Sequence, residues 1–89
     1  MGSPNFLQRA LMSLTRGEAL TCARKLLRTF ASAPDPRRQA QAIYSQLAHV
    51  DGWAPADQVQ IDALGAWLAD SPRQADLKSR CQQILAKLK

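Results

Sequence analysis

Apolar residues return at three- and four-residue intervals along most of this chain, the period of an amphipathic helix rather than of a strand. Leu7, Ala10, Leu11 and Leu14 form the first stripe, from about residue 4 to residue 14, with Phe6 beside it and Met12 on the far side. Ala19, Leu20, Ala23, Leu26, Leu27 and Phe30 form the second, over about residues 16–32, with Arg24, Lys25 and Arg28 opposite. Ala40, Ile43, Tyr44 and Leu47 carry the third, from Pro36 to about His49, and Val50 falls just past its end. Leu77, Cys81, Ile84, Leu85 and Leu88 give the last helix a narrow stripe.

Between the third and last helices, residues 55–69 break the pattern. Val59, Ile61, Ala63, Leu64, Trp67 and Leu68 spread over half the circumference or more, and Trp53 adds a large apolar group just before them. Either this helix is central and contacted on two sides, or one flank is left for another protein. On the second reading the anchors are Trp53, Ile61, Leu64, Trp67 and Leu68, with Met12 as a further exposed apolar candidate, because buried aromatic and aliphatic groups dominate interface energetics.

Prolines and caps set the boundaries. Ser3-Pro4, Asp35-Pro36 and Ser71-Pro72 each read as an N-cap followed by proline at the first helical position, and Ala54-Pro55 repeats this with a poorer cap. Proline fits there because the N–H it lacks has no intrahelical partner. Thr15-Arg16-Gly17-Glu18 and Ser71-Pro72-Arg73-Gln74 have the form of capping boxes. Pro34 closes the second helix, and Asp51-Gly52 signals a turn. The expected fold is therefore all-α: one domain over residues 1–89, a compact bundle of four to five short antiparallel helices. Its expected core is Leu7, Leu11, Leu20, Leu26, Leu27, Phe30, Ile43, Leu47, Leu64, Trp67, Leu77, Ile84 and Leu85.

Composition agrees. Fifteen alanines and twelve leucines favour helix, while β-branched and aromatic residues are scarce. A chain of 89 residues buries only about 60–65% of its unfolded surface, which leaves a thin core and little room for a deep cleft. No apolar run reaches the ~20 residues of a membrane span, and the first residues lack the form of a secretory signal. A cytoplasmic location without membrane association is the expectation. The two cysteines, Cys22 and Cys81, lie on or beside apolar faces and read as reduced core thiols, with a disulfide between them left to geometry.

The net charge of +5 is unevenly placed. Residues 51–72 hold Asp51, Asp57, Asp62 and Asp70 with no Lys or Arg, while the segments on either side are basic. One reading is internal matching of the acidic helix by basic neighbours. The other is a basic surface made of Arg24, Lys25, Arg28, Arg37, Arg38, Arg73 and Arg80, open to nucleic acid or an acidic partner.

Catalytic and ligand chemistry is thin. Ser45, His49 and Asp51 are the residue types of a hydrolase triad, but they fall within seven residues at a helix end with no sign of an oxyanion hole. No glycine-rich phosphate loop is present, the acidic residues lack calcium-loop spacing, and neither cysteine has a partner at zinc spacing, so no cofactor or metal is expected. The stretch Ala48-His49-Val50-Asp51-Gly52-Trp53-Ala54-Pro55-Ala56-Asp57 resembles the helix–Asp-Gly–helix element of tellurite-resistance TerB-like domains, departing from it at Val50 and Trp53. It covers under a quarter of the chain, and no function is carried over from it.

The expected function is thus non-enzymatic: a small interaction module, such as an adaptor, a chaperone or an inhibitor of a larger protein, binding through an apolar patch rimmed by basic residues. The alternative is a nucleic-acid-binding regulator that uses the basic terminal helices. Homodimerisation is a further option, because thin helical cores gain stability by association.

Overall fold

The computed structural model describes residues 15–88. Among them are four α-helices and no strand: α1 (Arg16–Arg28), α2 (Pro36–Ala48), α3 (Pro55–Ala69) and α4 (Gln74–Lys87), with a single 3₁₀ turn at Phe30–Ser32 between the first two. This is the all-α bundle expected from the periodicity. The helix expected over residues 4–14, with Leu7, Leu11 and Met12, lies outside the described residues.

The caps explain most boundaries. At the start of α1 the Glu18 N–H donates to Thr15 Oγ1 at 3.1 Å and the Thr15 N–H donates to Glu18 Oε1 at 3.0 Å, so the capping box is reciprocal. Asp35 caps α2 by accepting the Arg38 N–H at 3.2 Å, with Pro36 at the first position. Pro55 opens α3 without any side-chain cap.

Two boundaries differ from expectation. The second apolar stripe ends as α-helix at Arg28, not near Ser32. There the side chain of Gln39 reaches back from α2 and donates to the Leu26 carbonyl at 2.8 Å, and the Thr29 hydroxyl donates to the Lys25 and Leu26 carbonyls. With these carbonyls satisfied the chain tightens into the 3₁₀ turn, held by Ser32 N–H to Thr29 O and Ala33 N–H to Phe30 O. The second departure is Ser71. It does not cap α4, which begins at Gln74 with Arg73 at the N-cap. Instead Ser71 closes α3 in the left-handed conformation, φ 52°, with its N–H donating to the Leu68 carbonyl at 3.3 Å. Pro72 follows and lacks the N–H that would complete a fuller C-terminal motif. A non-glycine residue in this region is strained. Ser71→Gly is therefore expected to raise stability by about 0.5–1 kcal/mol, read as a higher midpoint in urea unfolding.

The core runs through all four helices. Ala19, Leu20 and Ala23 of α1, Ala40, Ile43 and Leu47 of α2, Ile61, Leu64 and Leu68 of α3, and Leu77, Cys81, Ile84 and Leu85 of α4 are buried, together with Phe30, Val50, Trp53 and Leu88. Leu26, Leu27, Tyr44 and Trp67 are partly buried and pack against this cluster. No polar or charged side chain is buried among the described residues. Both α2 and α4 touch the three other helices, and α3 lies against these two, so it is contacted on two sides. Gly65 is the seat of the α2–α3 contact: a Cβ there would stand 2.6 Å from Tyr44 Cζ and 2.7 Å from its hydroxyl. That close approach accounts for a glycine in mid-helix, where it costs about 1 kcal/mol relative to alanine.

Candidate interaction surfaces

The turn between α2 and α3 decides what is left on the surface. Gly52 takes φ 86°, which brings Trp53 back under the end of α2. Its ring is 7% exposed, and Nε1–H donates to the Leu47 carbonyl at 3.0 Å. Trp53 is therefore a core residue whose one polar atom is satisfied, and it cannot serve as the surface anchor expected from the sequence. The same correction applies to Ile61, Leu64 and Leu68, which are 1%, 0% and 7% exposed on the inner side of α3. Met12 lies outside the described residues.

What remains outside on α3 is a second apolar side. Val59, Ala63 and Trp67 follow one another at four-residue spacing, so they share a flank. Val59 is 62% exposed, the one large hydrophobic residue so exposed among the described residues. Ala63 is exposed and Trp67 half-buried. The breadth of the apolar pattern in residues 55–69 thus has two sources: an inner face of Ile61, Leu64 and Leu68, and an outer flank of Val59, Ala63 and Trp67.

Trp67 borders α4. The Arg80 guanidinium carbon stands 5.1 Å from the centroid of its ring, a cation–π geometry. Together with Asp76, Ser79 and Gln83 they line a shallow groove of about 230 Å³ between the two helices. This is below the ~300–1,000 Å³ usual for an enclosed small-molecule site. Arg73, at the mouth of α4, pairs with Asp76 at 3.5 Å, the only ion pair among the described residues. So among the described residues the acidic side chains of residues 51–72 make no direct pairs with basic neighbours; Asp62 instead accepts from the Gln58 amide at 2.9 Å.

The remaining basic candidates lie elsewhere. Arg24, Lys25 and Arg28 on α1 and Arg37 and Arg38 on α2 are all exposed. Both groups sit at the same corner, since the C-terminal half of α1 leads through the 3₁₀ turn into the N-terminal turn of α2.

The residues of the apparent triad do not form one. His49 is the exposed C-cap of α2, and its Nδ1 lies 2.7 Å from the Ser45 backbone carbonyl, not from the Ser45 hydroxyl. No group of three or more His, Cys, Asp or Glu side chains is placed to hold a metal among the described residues. Cys22 is half-buried and Cys81 buried, and both are free thiols. Burial pushes the Cys81 thiol up from 9.0 to about 11. Above about pH 9 the unfolded chain gives up this proton while the folded chain keeps it, so stability falls as pH rises from about 9 to 11. Urea unfolding at successive alkaline pH values should show this loss, and Cys81→Ala should remove that part of it.

No protein-family model, no curated protein and no solved structure matches this chain.

Proposed function

We propose that this chain is a small non-enzymatic protein-interaction module, an adaptor, chaperone or inhibitor type of protein, that binds its partner through the outer flank of α3 and the adjoining α3–α4 groove. The observation that carries the reading is the exposed line Val59–Ala63–Trp67 edged by Arg80. An aromatic ring with a half-open face beside an arginine is the composition enriched at interface centres. Arg73 and Arg80 supply the basic rim.

The test is affinity purification from the native host with nuclease treatment as a control. A partner retained after nuclease should be lost at least tenfold from a Val59→Asp/Trp67→Ala variant whose far-UV circular dichroism stays helical. A partner held equally well by that variant would place the docking surface elsewhere. Leu68→Ala is unsuited to this purpose, because Leu68 is buried and its loss would unsettle the fold itself.

A further inference from the structure

The corner where α1 meets α2 has a composition that the fold does not need. Lys25 and Arg28 stand in the last turn of α1, where cations suit the negative end of the helix dipole. Arg37 and Arg38 do not have this excuse. They occupy the first turn of α2, where the dipole is positive and a cation is unfavourable by about 0.3–1 kcal/mol. Neither they nor Arg24, Lys25 and Arg28 form an ion pair among the described residues. The carboxylates nearest in the chain accept backbone N–H groups, Asp35 that of Arg38 and Glu18 that of Thr15.

The corner is also fixed. Gln39 Nε2 donates to the Leu26 carbonyl at 2.8 Å and to Thr29 Oγ1 at 3.2 Å, tying the first turn of α2 to the end of α1. The two helix ends that carry the five cations are therefore tied to each other. Their exposed neighbours are Thr21 on α1, Thr29, Ala31, Ser32, Pro34 and Asp35 in the connection, and Gln41 on α2, so one carboxylate stands among the cations but no large hydrophobic side chain there is exposed. A protein interface needs an apolar centre, which this patch lacks. A phosphate backbone needs only cations and hydrogen-bond donors.

We infer that Arg24, Lys25, Arg28, Arg37 and Arg38 form a sequence-independent binding surface for the phosphodiester backbone of a nucleic-acid duplex. It is distinct from the Val59–Trp67 flank, so its failure leaves the protein-docking reading standing, and the reverse also holds. An acidic protein segment is the competing ligand, and it is excluded or accepted by the same experiment.

The experiment is fluorescence anisotropy of a labelled DNA duplex of arbitrary sequence with the full chain. Five neutralised phosphates give a slope of about −4.5 in log affinity against log salt, a loss of about 500-fold between ~50 and ~200 mM. Arg28→Gln/Arg38→Gln should cut that loss to about 40-fold and weaken binding at low salt. The same variant should unfold at no lower temperature than an Arg28→Gln single variant, because Arg38 opposes its own helix dipole. The control Lys78→Gln/Lys87→Gln changes net charge equally, on α4, and should leave the salt dependence near 500-fold. Absence of duplex binding at ~50 mM salt, a salt dependence reduced to about 40-fold in the α4 control as well, or equally tight binding of a poly-glutamate peptide would each overturn the assignment.

Discussion

Replacing Trp53 with alanine is expected to remove about 3–5 kcal/mol of stability, the largest loss of any single change considered for this chain. The ring is 7% exposed and lies with Val50 in the segment that carries the chain from α2 into α3. Its removal empties the space under that segment and deletes the Nε1–H bond to the Leu47 carbonyl. That carbonyl keeps a long bond from the Val50 N–H at 3.4 Å, so the main loss is packing rather than an orphaned acceptor. A small domain has only about 5–15 kcal/mol to lose, and one this short sits low in that range. Equilibrium urea unfolding should therefore show the alanine variant largely unfolded at physiological temperature. Trp53→Phe keeps most of the volume and should cost less than the alanine change. A Trp53→Ala protein as stable as the parent would mean the ring is not in the core.

Leu64→Ala is expected to cost about 2–5 kcal/mol, while Val59→Ala on the same helix should stay within about 0.5 kcal/mol. Leu64 is fully buried and Val59 is 62% exposed. The contrast is a direct reading of which way α3 faces. Were the helix rolled so that Val59 pointed inward, the order of the two effects would reverse. Thermal unfolding of both variants decides it.

This orientation is the part of the molecule that the sequence left ambiguous. Helices α2 and α3 were legible to within a residue because Asp35-Pro36 and Ala54-Pro55 each mark a start with no competing signal nearby. The end of α1 was not legible, because it is set by a side chain thirteen positions on, when Gln39 takes the Leu26 carbonyl. Ser71 was misleading for a different reason. It stands where one helix must stop and another start, and closing α3 took the residue that could have capped α4.

The candidate surface was legible in part. Trp67 and Arg80 were both marked, but nothing local said that they stack, since the contact joins two helices. Trp53 was marked wrongly as an anchor. It lies outside any helical period, so its burial follows only from the Gly52 turn that folds it under α2. Ile61, Leu64 and Leu68 could not be separated from Val59 and Ala63 because both sides of α3 are apolar, and periodicity cannot rank two apolar sides. The basic corner was visible as composition, but the tie through Gln39 that holds its two halves together was not.

The account rests on Trp67, and not Trp53, being the tryptophan offered to a partner. Fluorescence quenching of the single-tryptophan proteins Trp53→Phe and Trp67→Phe tests this most directly. Iodide should quench Trp67 strongly, drawn by Arg80 beside its ring, and caesium should quench it less. Trp53 should resist both. A shielded Trp67 together with a freely quenched Trp53 would contradict the arrangement of α3 and the docking surface built on it.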